Sequence, residues 1–312
     1  MKLAALSVDL DEIPCYHAIH GLPMPDGDAA RAVYARAVPR YLTLLEALGV
    51  PCTFFVIGRD LDDPAAFAGA EALFRAGHEL ANHTQHHRYD LTRLPRDTMR
   101  AEVLDGAAAI ARVQGHAPLG FRAPGYTFND TLLDVLAEVG VAYDSSVFPC
   151  PAYWSAKTAA IGLIALRGRQ SRSVVDTPAV LTAPADPYFP TRPYWRRASG
   201  EGAVMELPIG VTRGARLPYI GTSLMMAGPR RAPWLTAMMV GRPLVNLELH
   251  GIDLLDVDDG LDALRGHQPD IGVTVADKLA TLRGAVEALQ AEGYTFVTLA
   301  EAAQAAALEA RS

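Results

Sequence analysis

The stretch Leu3-Ala4-Ala5-Leu6-Ser7-Val8-Asp9-Leu10-Asp11 decides how the chain is read. A short apolar run that breaks into carboxylates reads as a buried parallel strand whose C-terminal end faces a polar site. Strand alternation puts Asp9 and Asp11 on one face and turns Leu10 to the other. Neighbouring carboxylates repel, so such a pair normally holds a cation that keeps at least one ionised. A strand-end or cap pair is the plainer alternative.

Working outward, the same unit recurs. Asp28 can cap a helix over about residues 29–48, closed by Gly49, and residues 52–57 form the next strand. Residues 64–76 read as a helix stopped by Gly77, and residues 79–82 as a strand running into histidines. Helix 95–113, strand 119–122, helix 131–139 capped by Asn129, and strand 142–144 follow. From 148 to about 202 periodicity dissolves into Pro, Arg, Tyr and Trp, which predicts an irregular insertion over the site. Residues 204–209 and 244–249 are later strands, Thr274-x-x-Asp277 is a capping box opening a helix to about Glu292, and residues 294–298 close the set before a final Ala-rich helix. Strand–helix alternation predicts a parallel α/β sheet, and polar strand ends predict barrel-like closure with all of them on one rim. One domain over residues 1–312 is expected.

Composition narrows the function classes. Half of the 312 residues are hydrophobic, ample for a large core. With 28 Lys and Arg against 35 Asp and Glu, net −7, the footprint that grips a phosphate backbone is missing, so no nucleic-acid partner is expected. The longest clear apolar run, residues 159–166, is far shorter than the roughly 20 residues of a membrane span. Neither a transmembrane segment nor a signal peptide is expected. Cys15, Cys52 and Cys150 lack CxxC spacing, which argues against a disulfide framework and for a reducing cytoplasm.

His83 and His87 lie four apart, so on a helical turn both imidazoles would share a face and grip one cation. A histidine-rich polar loop is the alternative, because the intervening glutamate of the zincin motif is absent. Joined to the Asp9/Asp11 pair, they supply a carboxylate, two imidazoles and a spare acid, the stoichiometry of an open zinc site holding water. Arg122 ends another strand before a turn in which Gly125 lets a substrate approach the backbone, next to Tyr126. Glu248-Leu249-His250 ends a fourth.

These residues, in this order, resemble the polysaccharide deacetylase, or NodB-homology, superfamily (carbohydrate esterase family 4), with His83-Thr84-x-x-His87 as the most specific element. The likeness implies a distorted (β/α)7-type barrel. It also implies that Asp9 is the catalytic base and that Asp11, His83 and His87 hold the metal. Arg122 resembles the arginine holding the base, Gly125 N–H the oxyanion-hole donor, Asp144 the aspartate tuning the acid, and His250 that acid. Tyr126 and Glu248 are expected to contact substrate. The Asp-x-Asp spacing looks like the branch with some peptidoglycan deacetylases and the lipid-linked aminoarabinose deformylase, and it leaves the roles of Asp9 and Asp11 exchangeable.

The expectation is a hydrolase that removes an acetyl or formyl group from the nitrogen of an amino sugar or envelope precursor, using one divalent ion. Zinc comes first, with Co, Ni or Mn compatible with mixed Asp and His ligands. Hydrolysis of a cyclic amide and a non-catalytic carbohydrate-binding barrel are the alternatives, and a homo-oligomer is compatible with either. Cys15, His17 and His20 could form a second metal site, though a lid is favoured. Arg167, Arg169 and Arg172, or Arg230 and Arg231, could bind phosphate, and Met225, Met226, Trp234, Met238 and Met239 could line a lipid groove, making a lipid-linked sugar a minority expectation.

Overall fold

The computed structural model describes residues 2–311. Its spine is β1 (Leu3–Asp9), whose seven residues are all buried, as the apolar run requires. β1 pairs in parallel with β7 (Leu244–His250) along its whole length and with β2 (Thr53–Val56) at its C-terminal end. The sheet continues through β3 (Glu79–Asn82), β4 (Gly120–Phe121), β5 (Tyr143–Asp144) and β6 (Met205–Glu206), while β8 (Thr295–Phe296) adds to the start of β1. Every pairing is parallel, so the strand ends that carry Asp9, Asn82, Phe121, Asp144 and His250 open on one rim.

Closure between β6 and β7 is made by loop rather than by strand. Gly210 N–H donates to Asn246 C=O at 2.9 Å, and a Cβ on Gly210 would meet that oxygen at 2.4 Å, so only glycine permits the approach. The result is the expected parallel α/β barrel in distorted form. β4, β5 and β6 are shorter than the sequence suggested, two residues each.

Period-two alternation sorts the strands. Leu6, Val8, Phe54, Val245 and Leu247 face outward into a core shared with the surrounding helices. Leu3, Ala5, Phe55 and Leu244 plug the inner end beneath helix α10 (Leu299–Arg311). Nearer the rim, polar side chains face inward: Ser7, Asn246, Glu248, and from β4's end the guanidinium of Arg122, a fully buried side chain.

Several local readings change. The helix expected over residues 29–48 is α2 (Val38–Leu48) preceded by a 3-10 turn (Gly27–Arg31) and a π turn (Val33–Ala37). Pro39 has no N–H to give Ala35, and the wider turn falls just ahead of it. Asp28 does not cap it; the Glu12 carboxylate does, accepting from Val33 N–H at 3.1 Å and Tyr34 N–H at 3.0 Å. The loop after β1 contains a helix, α1 (Ile13–His20), and the insertion contains a long one, α6 (Pro151–Leu166). α3 (Pro64–Arg75), α4 (Arg96–Gln114), α5 (Asp130–Val139), α7 (Gly221–Ala227), α8 (Ala232–Ala237) and α9 (Val275–Ala291) complete the shell. Met225 and Met239 pack in the core, while Met226 and Trp234 are exposed, so that stretch splits between two environments and forms no single groove.

Candidate active site

Asp11 follows β1, and His83 follows β3. Asp11 Oδ1 lies 3.4 Å from His83 Nε2 and 3.1 Å from His87 Nε2. Ligands about 2.0–2.1 Å from a tetrahedral ion sit about 3.3 Å apart, so the three atoms have the spacing of one coordination sphere. His83 Nδ1 lies 2.8 Å from Arg122 C=O, which selects the tautomer whose Nε2 lone pair faces Asp11. Asp11 Oδ1 and both His87 ring nitrogens are buried without hydrogen-bond partners, a costly arrangement that a cation would relieve. The residues therefore fit a divalent metal.

The histidine spacing works differently from the helical-turn expectation. His83 to His87 is a tight loop in which Thr84 (φ 68°) and His87 (φ 53°) adopt left-handed backbone. Asn82 Oδ1 accepts from Thr84 N–H at 2.9 Å, Thr84 Oγ1 from His87 N–H at 3.0 Å, and Glu102 takes His86 N–H at 2.9 Å. These bonds hold a backbone shape that the side chains alone would resist.

On the other side of the rim Asp9 meets a built-in cation. Arg122 Nη1 donates to Asp9 Oδ1 at 2.6 Å, and the rest of its guanidinium is spent on Ser7 Oγ (2.9 Å), Ser145 Oγ (2.9 Å) and Ser145 C=O (2.8 Å). Asn246 ties the same hydroxyls, accepting from Ser7 Oγ at 3.1 Å and donating to Ser145 Oγ at 3.0 Å. Asp9 Oδ2 lies 3.8 Å from His83 Nε2, so the two halves touch.

Glu248, not Asp144, stands behind His250. Its Oε1 is 2.9 Å from His250 Nδ1, and the carboxylate is fully buried, which removes it from the substrate-contacting role expected for it. Burial alone would lower the pKa of His250, but Glu248, Asp9 and Asp11 hold it well above its ordinary value. Burial likewise opposes the charge on Glu248, yet His250 and Arg122 keep its pKa below normal. The signal was legible: Glu248 and His250 are two apart on one strand, hence on one face. Tyr126 is also buried; its Oη lies 3.3 Å from His250 Nε2.

Asp144 turns elsewhere. Its Oδ1 accepts from Ser146 Oγ at 2.7 Å, and that hydroxyl accepts from Ala123 N–H at 2.8 Å, so Asp144 braces the turn after Arg122. Its register partner Glu206 is buried beside it, and burial with the neighbouring Asp144 charge pushes the Glu206 pKa well above normal.

Gly125 adopts φ 64°, and its C=O accepts from Lys157 Nζ at 2.7 Å, a contact from α6 that the sequence did not signal. Beside His87 opens a cavity of about 750 Å³ lined by Cys15, Met24, Arg59, Arg88, Arg93 and Arg172 among others. His17 and His20 join no cluster of metal-ligating groups among the described residues.

The family model for polysaccharide deacetylase matches residues 26–143, a span that holds His83, His87, Arg122 and Gly125 but neither Asp9, Asp11 nor His250. A peptidoglycan deacetylase of Helicobacter pylori is 26% identical over 147 residues, 46% of this chain and 49% of that protein, so the match spans about half of the relative's length. Among solved structures, a polysaccharide-deacetylase-type protein from Mycobacterium smegmatis shares the fold (TM-score 0.50, 21% identity, 95% of this chain and 93% of that one). A CE4 family pseudoenzyme from Bacillus anthracis does so too (TM-score 0.50, 13% identity, 96% of this chain and 64% of that one). Over residues 26–143, then, the chain is similar to the polysaccharide deacetylase family.

Proposed function

We propose that this protein is a metal-dependent hydrolase that removes an N-acetyl or N-formyl group from an amino sugar or a lipid-linked sugar precursor, with one catalytic domain spanning the chain. The observation that supports it best is the convergence, on one rim, of a carboxylate held by arginine, a separate Asp-His-His set with unmet polar atoms, and a Glu-paired histidine. The family's peptidoglycan-deacetylating relative fits the same substrate chemistry. Three free, buried cysteines suit a reducing compartment, the cytoplasm.

Asp11, His83 and His87 would hold the ion. A divalent cation there supplies Lewis acidity, which lowers the pKa of water and polarises an acyl oxygen. Asp9, ion-paired to and oriented by Arg122, takes the proton of the attacking water. Gly125 N–H donates to the oxygen on which negative charge develops, a contribution whose loss typically costs roughly 3 kcal/mol of barrier. His250, charged by its pairing with Glu248, gives its proton to the departing nitrogen, which would otherwise leave as a very poor anion.

The test is a chelated preparation reloaded with Zn, Co, Ni or Mn and assayed on acetylated and formylated amino sugars and on cyclic amides. His83→Ala or His87→Ala should abolish ion binding and amide hydrolysis together. Hydrolysis that survives either change, or ring opening of cyclic amides indifferent to chelation, overturns the reading.

A further inference from the structure

Helix α6, Pro-Ala-Tyr-Trp-Ser-Ala-Lys-Thr-Ala-Ala-Ile-Gly-Leu-Ile-Ala-Leu, contradicts its own composition. A helix apolar apart from Ser155, Lys157 and Thr158 belongs largely inside a protein, yet none of its sixteen residues is buried, and Leu163 and Leu166 are 48% and 87% exposed. Its one charged side chain, Lys157, turns inward to Gly125 C=O, so the outer face carries no charge at all. Arg167, Arg169 and Arg172 follow immediately. From residue 145 to residue 175 there is no Asp or Glu, in a chain whose net charge is −7.

We propose that α6 and these arginines are the surface by which the protein docks on an anionic lipid bilayer. Sixteen helical residues span about 24 Å, too short and too interrupted by solvent-facing polar groups to cross, but suited to lying in the interface with leucines in the acyl boundary and guanidiniums among the headgroup phosphates. A bilayer fits both parts of this surface at once, the uncharged helix meeting the acyl boundary and the arginines that follow it meeting the phosphates. Met24 is 57% exposed and lines the same cavity as Arg172, so the docked face includes the mouth of the cavity that reaches His87. The corollary that the substrate is carried in the membrane rests on the hydrolase reading; the docking itself does not.

Flotation of the full chain with phosphatidylcholine vesicles, with and without phosphatidylglycerol, reads docking without reading hydrolysis. Binding is expected to the anionic vesicles and to weaken with salt. The triple change Arg167→Gln, Arg169→Gln, Arg172→Gln should lower that partition by about tenfold or more, and Leu163→Glu with Leu166→Glu should abolish it. All five positions are exposed, so the thermal midpoint should hold. Failure of the wild type to float with either vesicle overturns the proposal, as does binding insensitive to both variants. Light scattering that shows a dimer dissolved by the leucine changes, with no vesicle binding, assigns the face to self-association instead.

Discussion

Asp9 and Asp11 sit two residues apart on the same rim, equally buried, and the fold treats them in opposite ways. Asp9 is neutralised from within: an arginine buried as deeply as itself donates at 2.6 Å and is locked by two serines and an asparagine. Asp11 faces two imidazoles and keeps Oδ1 free of any hydrogen bond. One carboxylate has its cation in the sequence and the other lacks it. Chemistry that needs a free base beside a ligand needs this asymmetry, since two carboxylates compensated alike could not differ in role.

Exchanging each acid for its amide is the most direct way to break that contrast. Asp9→Asn should leave ion affinity nearly unchanged in calorimetric titration and lower kcat by about 10² to 10⁴. Asp11→Asn should weaken ion binding by at least about 100-fold. If Asp9→Asn loses the ion and Asp11→Asn keeps it, the two roles are reversed. Next in size is Arg122→Met, which leaves Asp9 buried and uncompensated. Urea unfolding should show a loss of about 3–5 kcal/mol, against about 1 kcal/mol for Ser7→Ala, which removes one of the bonds that orient the guanidinium.

Why the two halves differed in legibility follows from the range of the contacts. The strand ending in Asp9 and Asp11 is a local pattern, readable from alternation alone, and so are the Asn129 and Thr274 caps. Arg122 could be placed at a strand end, but its partners Ser7 and Ser145, and the Asn246 that binds both, come from three other strands or their ends, and nothing in their neighbourhoods announces the meeting. Spacing four would put His83 and His87 on one face of a helical turn, and a polar loop is the alternative that the structure adopts. Thr84 and His87 in left-handed backbone are fixed by Asn82 and Glu102, bonds that periodicity does not encode. The Asp144 expectation failed for a simpler reason. A resemblance can carry a role without carrying the geometry, and Glu248 was nearer.

That substitution of one acid for the other can be sharpened by pH. Glu248 stabilises the protonated form of His250, so removing its charge lets the imidazole lose its proton more readily. Glu248→Gln should therefore move the alkaline limb of the kcat/KM profile to lower pH by about one unit or more, the equivalent of roughly 1.4 kcal/mol. Asp144→Asn should leave that limb where it is, because Asp144 bonds Ser146.

The smallest effect is expected at Tyr126, and its form matters more than its size. The hydroxyl lies 3.3 Å from His250 Nε2, the nitrogen opposite the Glu248 contact, while the ring packs edge-on against Phe148 with centroids 5.8 Å apart. Tyr126→Phe keeps the ring and removes one hydrogen bond, worth about 0.5–1.5 kcal/mol, or a change of a few-fold up to about tenfold. A hydroxyl that orients His250 before proton transfer contributes to the chemical step, so kcat should fall with KM nearly constant. A hydroxyl that binds substrate equally in ground and transition states would instead raise KM and leave kcat alone. Its burial beside the histidine favours the first outcome, and a fall in kcat at constant KM would group Tyr126 with His250 rather than with a surface that meets substrate.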